Sequence, residues 1–138
     1  MKNFQIAAAR MIGEMEKHAR MLGVKGVIVV ASLDDGGMSW VSEMKAVNAI
    51  KTVSDDPVKD AYPGYNFIGI AYSKAAEMAD TKLNSGSKTR PAYQGEYGFQ
   101  GGMIQKIESG FLLTVFSGAT GEQDFEIAKA GMSAYLTP

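Results

Sequence analysis

Residues 117–131 read Ser-Gly-Ala-Thr-Gly-Glu-Gln-Asp-Phe-Glu-Ile-Ala-Lys-Ala-Gly, and this stretch decides the fold that we predict. Thr120 can cap the first amides of a helix, and Gln123 can complete a capping box with it. The predicted turn and cap comprise Thr120, Gly121, Glu122, Gln123 and Asp124. The stretch therefore predicts a glycine-rich turn that leads from a strand into a helix.

The same turn can also be interpreted as an anion site, because free amides and the helix dipole at a helix start attract negative charge. However, Glu122 and Asp124 already place two carboxylates in the first helical turn, where they satisfy the dipole and would repel a phosphate. The stretch also lacks the lysine and the spacing of a P-loop. A structural cap is the favoured interpretation.

Hairpins precede this turn along the chain. Met103–Ile107 and Phe111–Phe116 flank a Glu-Ser-Gly turn and predict two paired strands. Lys25–Leu33 is a continuous apolar run typical of a strand covered on both faces, and residues 34–37, Asp-Asp-Gly-Gly, predict a turn into a returning strand at Met38–Met44. We expect four strands in two antiparallel hairpins.

Three amphipathic helices complete the prediction. Apolar residues recur at helical spacing from Phe4 to Leu22, with Gly23 placed to end that helix. A second stripe spans residues 68–83, and the third helix follows Thr120. Residues 45–65 are interpreted as a loop that can hold one short helix, and residues 87–102 as a loop that can hold an extended segment. The order α-ββ-α-ββ-α predicts an α+β fold with an antiparallel sheet.

Composition narrows the class of protein. A chain of 138 residues with 46% hydrophobic residues predicts one domain over residues 1–138. A net charge of −1 gives no field to attract nucleic acid or an anionic membrane, so neither is expected as a partner. Cysteine is absent and the N-terminus carries frequent charges, which favours a cytoplasmic protein without a signal peptide or membrane span.

His18, the only histidine, raises the question of a cofactor. It lies on the apolar stripe of the first helix with Met11 and Met15, and imidazole and thioether groups can both be axial ligands of haem iron. The alternative is that His18 is half-buried beside methionines that fill gaps in the core. A zinc site built from several histidines is excluded.

Charged residues offer further candidates, each with a structural alternative. Lys88 and Arg90, near Tyr93 and Tyr97, can bind a carboxylate or propionate, or can form a solvated basic loop. Two clusters of acidic residues can bind a hard cation: one comprises Asp34, Asp35 and Glu43, and the other Asp55, Asp56 and Asp60. A role in turns explains both clusters more simply. No nucleophile–base pair is evident, so no catalytic residue and no metal site are predicted, although Glu122 or Asp34 remain candidates for a general base.

The segments together resemble the GlcG/HbpS-like family, which also forms the C-terminal domain of PduO-type proteins. Residues 117–131 look like its SGxTGEQD segment and small-residue helix. Further similarity lies in residues 19–24, 34–37, 70–75 and 101–102. Two departures are residues 42–45, Ser-Glu-Met-Lys, where the family shows an Arg-Met-Asp-like segment, and Gly69 and Ser73, which replace acidic residues. These departures weaken the expectation that acidic metal ligands of the family are present in this chain.

The resemblance implies a profilin-like sheet of about five strands flanked by helices, homo-oligomers, and haem or tetrapyrrole binding in some members. We therefore expect a self-associating module that binds a small ligand, rather than an enzyme, with His18, Met11, Met15, Lys88 and Arg90 as cofactor-binding residues. The alternative function is an accessory protein of a diol, glycerol or glycolate pathway that acts through protein contacts at Tyr93–Phe99.

Overall fold

The computed structural model describes residues 3–137, in which three helices and six strands are present. Along the chain they are α1 (Phe4–Leu22), β1 (Gly26–Asp34), β2 (Trp40–Val47), β3 (Lys51–Val53), β4 (Gly64–Asn66), α2 (Phe67–Thr81), β5 (Gly102–Ile107), β6 (Gly110–Ser117) and α3 (Gly121–Leu136). The predicted α+β class, antiparallel pairing and alternation of helices with hairpins are confirmed.

The main sheet has four strands in the order β2-β1-β6-β5. The two central strands, β1 and β6, pair from Val27 opposite Ser117 to Asp34 opposite Gly110. Each central strand also pairs with its hairpin partner on its other side. The two predicted hairpins therefore lie side by side, and β2 and β5 form the edges.

Helices cover both faces of this sheet. Alternate sheet residues pack with α1 and α3, namely Ile28, Val30, Leu112 and Phe116. The intervening residues pack with α2, namely Val27, Val29, Ala31, Leu33, Leu113 and Val115. Because side chains alternate along a strand, burial on both faces requires the continuous apolar runs seen in β1 and β6.

The first helix has the predicted bounds. Gly23 follows it with φ +69°, and its N–H donates to the carbonyls of the last turn. A left-handed residue at this position is a common helix end, and glycine adopts it without steric cost. The chain then reverses into β1, which begins at Gly26.

The structure corrects the interpretation of residues 45–65. The expected loop with a short helix is instead the end of β2 followed by a two-stranded hairpin, in which Thr52 of β3 lies opposite Tyr65 of β4. The turn between these strands is held by Ser54, which donates to the Asp60 carboxylate, and by the N–H groups of Lys59 and Asp60, which donate to the Asp56 carbonyl. Strands of three residues are too short to show the alternation that predicts a strand.

The implied strand count also differs. The main sheet has four strands rather than about five, and the extra pairing is the separate β3–β4 hairpin before α2. Residues 87–101 form a loop that contains no strand, so the extended segment that the sequence allowed there is not part of a sheet. Within residues 3–137, no helix combines the length and the apolar composition that crossing a lipid bilayer requires.

Met15 provides a test of this packing. Its side chain is fully buried, and Met15→Ala should lower the free energy of unfolding by about 2–5 kcal/mol, because it leaves a cavity in the core. Met21 on the same helix is 72% exposed, so Met21→Ala should change the free energy of unfolding by less than about 0.5 kcal/mol. Urea unfolding of both variants measures the difference, and equal effects would contradict the packing of α1.

Candidate functional site

Two adjoining clefts form one concave surface beside the first turns of α2. The inner cleft has a volume of about 380 Å³ and the outer about 300 Å³, and they share Tyr65, Ile70 and Phe99. Such volumes suit small organic ligands. We call the combined cleft the aromatic trough; its main lining residues are Tyr62, Tyr65, Phe67, Ile70, Lys74, Tyr97, Phe99 and Asp124.

Two pairs of aromatic rings form the walls of the trough. Tyr62 and Tyr65 come from the β3–β4 hairpin, with ring centroids 5.9 Å apart. Tyr97 and Phe99 come from the loop between α2 and β5 and stack at 5.4 Å, with planes 14° apart. All four rings are substantially exposed to solvent. Exposed rings that face a common cleft offer flat apolar surface to a ligand.

The floor of the trough is a buried ion pair. Lys74 of α2 places its Nζ 2.9 Å from Asp124 Oδ2 of α3, and the two side chains are 2% and 5% exposed. Lys74 Nζ also donates to the Phe116 carbonyl, at 2.8 Å. The pair thus connects a helix on each face of the sheet with the end of β6.

The other oxygen of Asp124 holds the turn before α3. Asp124 Oδ1 accepts the Ala119 N–H at 2.9 Å. Burial lowers the pKa of Lys74 and raises the pKa of Asp124, while the attraction between the two charges opposes both shifts. The charge of each partner therefore offsets part of the cost of burying the other, and for Asp124 the Ala119 N–H adds to this.

Gly101 is required by this floor. A Cβ at this position would lie 2.4 Å from Lys74 Nζ and 2.7 Å from the Asp124 Cβ. Its φ of +133° is also a conformation that other residues rarely adopt. The Gly101 carbonyl accepts the Phe116 N–H at 3.1 Å, so the loop is fixed directly over the ion pair.

The start of α3 contains a capping box. Thr120 Oγ1 accepts the Gln123 N–H at 3.2 Å, and Gln123 Oε1 accepts the Thr120 N–H at 3.3 Å. Glu122 is exposed, whereas Asp124 turns inward to Lys74. The capping pattern in the sequence does not predict this inward role. The available signal was Lys74 itself, which is three residues after Ala71 and four before Met78, on the buried side of α2.

His18 lies where α1 meets α3. Its side chain is 26% exposed, and Nε2 is 3.5 Å from Glu126 Oε1 but has no hydrogen-bond partner among residues 3–137. Met11 and Met15 are fully buried and pack in the core between α1, α3 and the sheet.

Arg90 holds the α2–β5 loop together. Its guanidinium donates to both oxygens of Glu96, at 2.8 and 3.0 Å, and to Asp80 at 2.8 Å, and it stacks 3.7 Å from the centre of the Tyr93 ring. These carboxylates raise the pKa of Arg90, and the Arg90 hydrogen bonds lower the pKa of Glu96. Lys88 is exposed in clefts beside this loop. The structure thus does not bring Lys88 and Arg90 together with His18.

The acidic candidates serve mainly in turns and surface pairs. Asp34 Oδ1 accepts the N–H groups of Met38 and Ser39, both at 2.9 Å, and these bonds lower the pKa of Asp34. Asp35 pairs with Lys106 at 3.0 Å. In the part of the chain that the structure describes, no three His, Asp or Glu side chains are grouped as metal ligands would be.

The fold defines a class of protein with an antiparallel sheet between helices. Klebsiella pneumoniae protein ORFY, of the family model DUF336, aligns with a TM-score of 0.64 and 18% identity over 96% of this chain and 90% of its own. The PduOC–haem complex aligns with a TM-score of 0.62 and 16% identity over 96% of this chain and 93% of its own. The resemblance drawn from the sequence is therefore confirmed at the level of the fold. No family model and no curated protein matches the sequence.

The ion pair can be tested by substitution. Lys74→Met leaves the Asp124 carboxylate buried without its partner and should lower the free energy of unfolding by about 3–5 kcal/mol. Lys129→Met, at an exposed position of α3, should have little effect. In the double variant Lys74→Met/Asp124→Asn, the loss of unfolding free energy should be smaller than the sum of the losses in the two single variants. Urea unfolding of these variants and of Asp124→Asn is the measurement, and strict additivity would count against coupling.

Proposed function

We propose that this protein is a small-ligand-binding module whose ligand occupies the aromatic trough. The observation that supports this proposal is the arrangement of two exposed ring pairs above a polar floor in one continuous cleft. An apolar cleft with a few convergent polar groups is the usual form of a small-molecule site.

The chemistry of the trough defines the kind of ligand that it accepts. Tyr65 and Phe99 border both clefts, so a flat apolar body can contact them along the length of the trough. At the floor, Lys74 and Asp124 neutralise each other. A fully charged group there would lose its hydration without gaining a free counter-charge. The preferred ligand is therefore flat and largely apolar, with an uncharged polar end such as a carbonyl or hydroxyl.

Prodan, a neutral naphthalene ketone whose emission shifts to the blue in apolar surroundings, matches this description. The wild-type protein should bind it with a blue shift, and Phe99→Ala should weaken binding about tenfold, since aromatic contacts dominate such sites. Tyr93→Ala is the matched control, because Tyr93 is exposed in the same loop but packs on Arg90 outside the trough. Fluorescence titration measures the affinities. Equal affinity of wild type and Phe99→Ala would overturn the proposal.

A second candidate ligand is haem, held by His18. The supporting observations are the His18 Nε2 atom, which has no hydrogen-bond partner among residues 3–137, and the solved complex of PduOC with haem. Glu126, the neighbour of His18, is 53% exposed, so its side chain is free to move. Bound haem would supply a one-electron redox centre. Met11 and Met15 are fully buried in the core, so His18 is the axial ligand that this candidate rests on.

Haemin titration followed by absorbance tests this second candidate. The Soret band should shift with the wild-type protein and not with His18→Ala, because the imidazole is the ligand. Met11→Leu should leave the shift unchanged, since Met11 is a core residue of similar volume. A shift that persists in His18→Ala would rule out ligation by His18. A shift lost only in Phe99→Ala would assign haemin to the aromatic trough instead.

A further inference from the structure

The β2 edge of the main sheet is open. β2 pairs with β1 along one side from Trp40 to Val47, and in residues 3–137 no strand lies on its other side. Backbone N–H and C=O groups along a free edge can pair with another strand. An open edge of this length is therefore a ready surface for strand addition.

The opposite edge of the sheet differs. The residues before β5 fold over that edge, where the Ser85 N–H donates to the Gly102 carbonyl at 3.2 Å and the Ile104 N–H donates to Asn84 Oδ1 at 3.1 Å. Gly102 N–H also donates to Ser85 Oγ at 2.8 Å. The chain thus satisfies much of the β5 edge itself and, within the described residues, provides no such cover for β2.

Apolar side chains also remain uncovered on β2. α2 packs against β1 and β6 and reaches β2 through a hydrogen bond between Ser42 and Tyr72, at 3.2 Å. On the face that α2 covers, Trp40 and Met44 consequently stay 37% and 40% exposed, and Val41, on the opposite face, is 51% exposed. Three large apolar residues along one open edge favour burial against a partner.

The charges on β2 identify the partner. Glu43 and Lys45 flank Met44 and point to the same face, because side chains alternate along a strand. If two β2 strands run antiparallel about a twofold axis at Met44, Glu43 of each copy lies opposite Lys45 of the other. Directly opposite residues of opposite charge stabilise such a pair. The strand is therefore complementary to itself.

We propose that β2 pairs with β2 of a second copy of this chain in this register, so that one sheet runs through both copies. Met44 then meets Met44 of the other copy, and Val41 lies opposite Val47. Within its own chain, Lys45 also contacts Glu16 of α1 at 2.8 Å. An isologous contact of this kind closes as a dimer.

Charge reversal tests the register. In Glu43→Lys all four facing charges are positive, and in Lys45→Glu all four are negative. Each variant alone should therefore dissociate at least about tenfold more readily than the wild type, since like charges facing each other are costly. In an equimolar mixture of the two variants, a lysine of one chain again faces a glutamate of the other at both positions, which should restore association. Native mass over a dilution series, by light scattering, is the measurement.

Glu16→Gln is the matched control, because it removes the contact of Lys45 within the chain and leaves the β2 charges unchanged; it should associate like the wild type. Circular dichroism shows whether each variant is folded. A monomeric wild type over the whole dilution series would overturn the proposal. So would single variants that keep the wild-type native mass, or a mixture that associates no better than its components.

Discussion

The contact between Lys74 Nζ and Asp124 Oδ2 constrains more of this molecule than any local pattern in its sequence. It links α2 on one face of the sheet to α3 on the other, around the end of β6. Two buried charges are tolerated only as a satisfied pair, so the helices that carry them are fixed relative to each other. Because both residues also line the inner cleft, the same contact sets the floor of the aromatic trough.

Several neighbouring features depend on this pair. Asp124 can turn inward because Thr120 and Gln123 cap α3 without it, and its second oxygen then fixes the turn through Ala119. Lys74 needs space that only a glycine at position 101 leaves free. The stability of the fold and the proposed ligand site therefore depend on one set of atoms, and a change at the floor should affect both.

Sequence patterns predicted the helices and strands that are long enough to show a repeating or continuous pattern of buried residues. α1, β1, the β5–β6 hairpin and α3 each contain enough residues to show one buried face or continuous burial. The β3–β4 hairpin does not, and the ion pair joins residues that are 50 positions apart, which no local pattern can reveal. Periodicity also cannot distinguish a core face from a cofactor face. Met11 and Met15 are fully buried in the core, whereas the His18 side chain is 26% exposed and lies near Glu126 of α3.

The four rings on the walls of the trough belong to neither hydrophobic cluster of the core. They are carried by a small hairpin and a loop, whereas the floor is carried by two long helices. Exchange of Tyr62, Tyr65, Tyr97 or Phe99 should therefore alter the preference of the proposed site at little cost in stability, whereas a change in the buried ion pair should destabilise the fold. A scaffold divided in this way can change what the proposed site recognises without a change of its backbone.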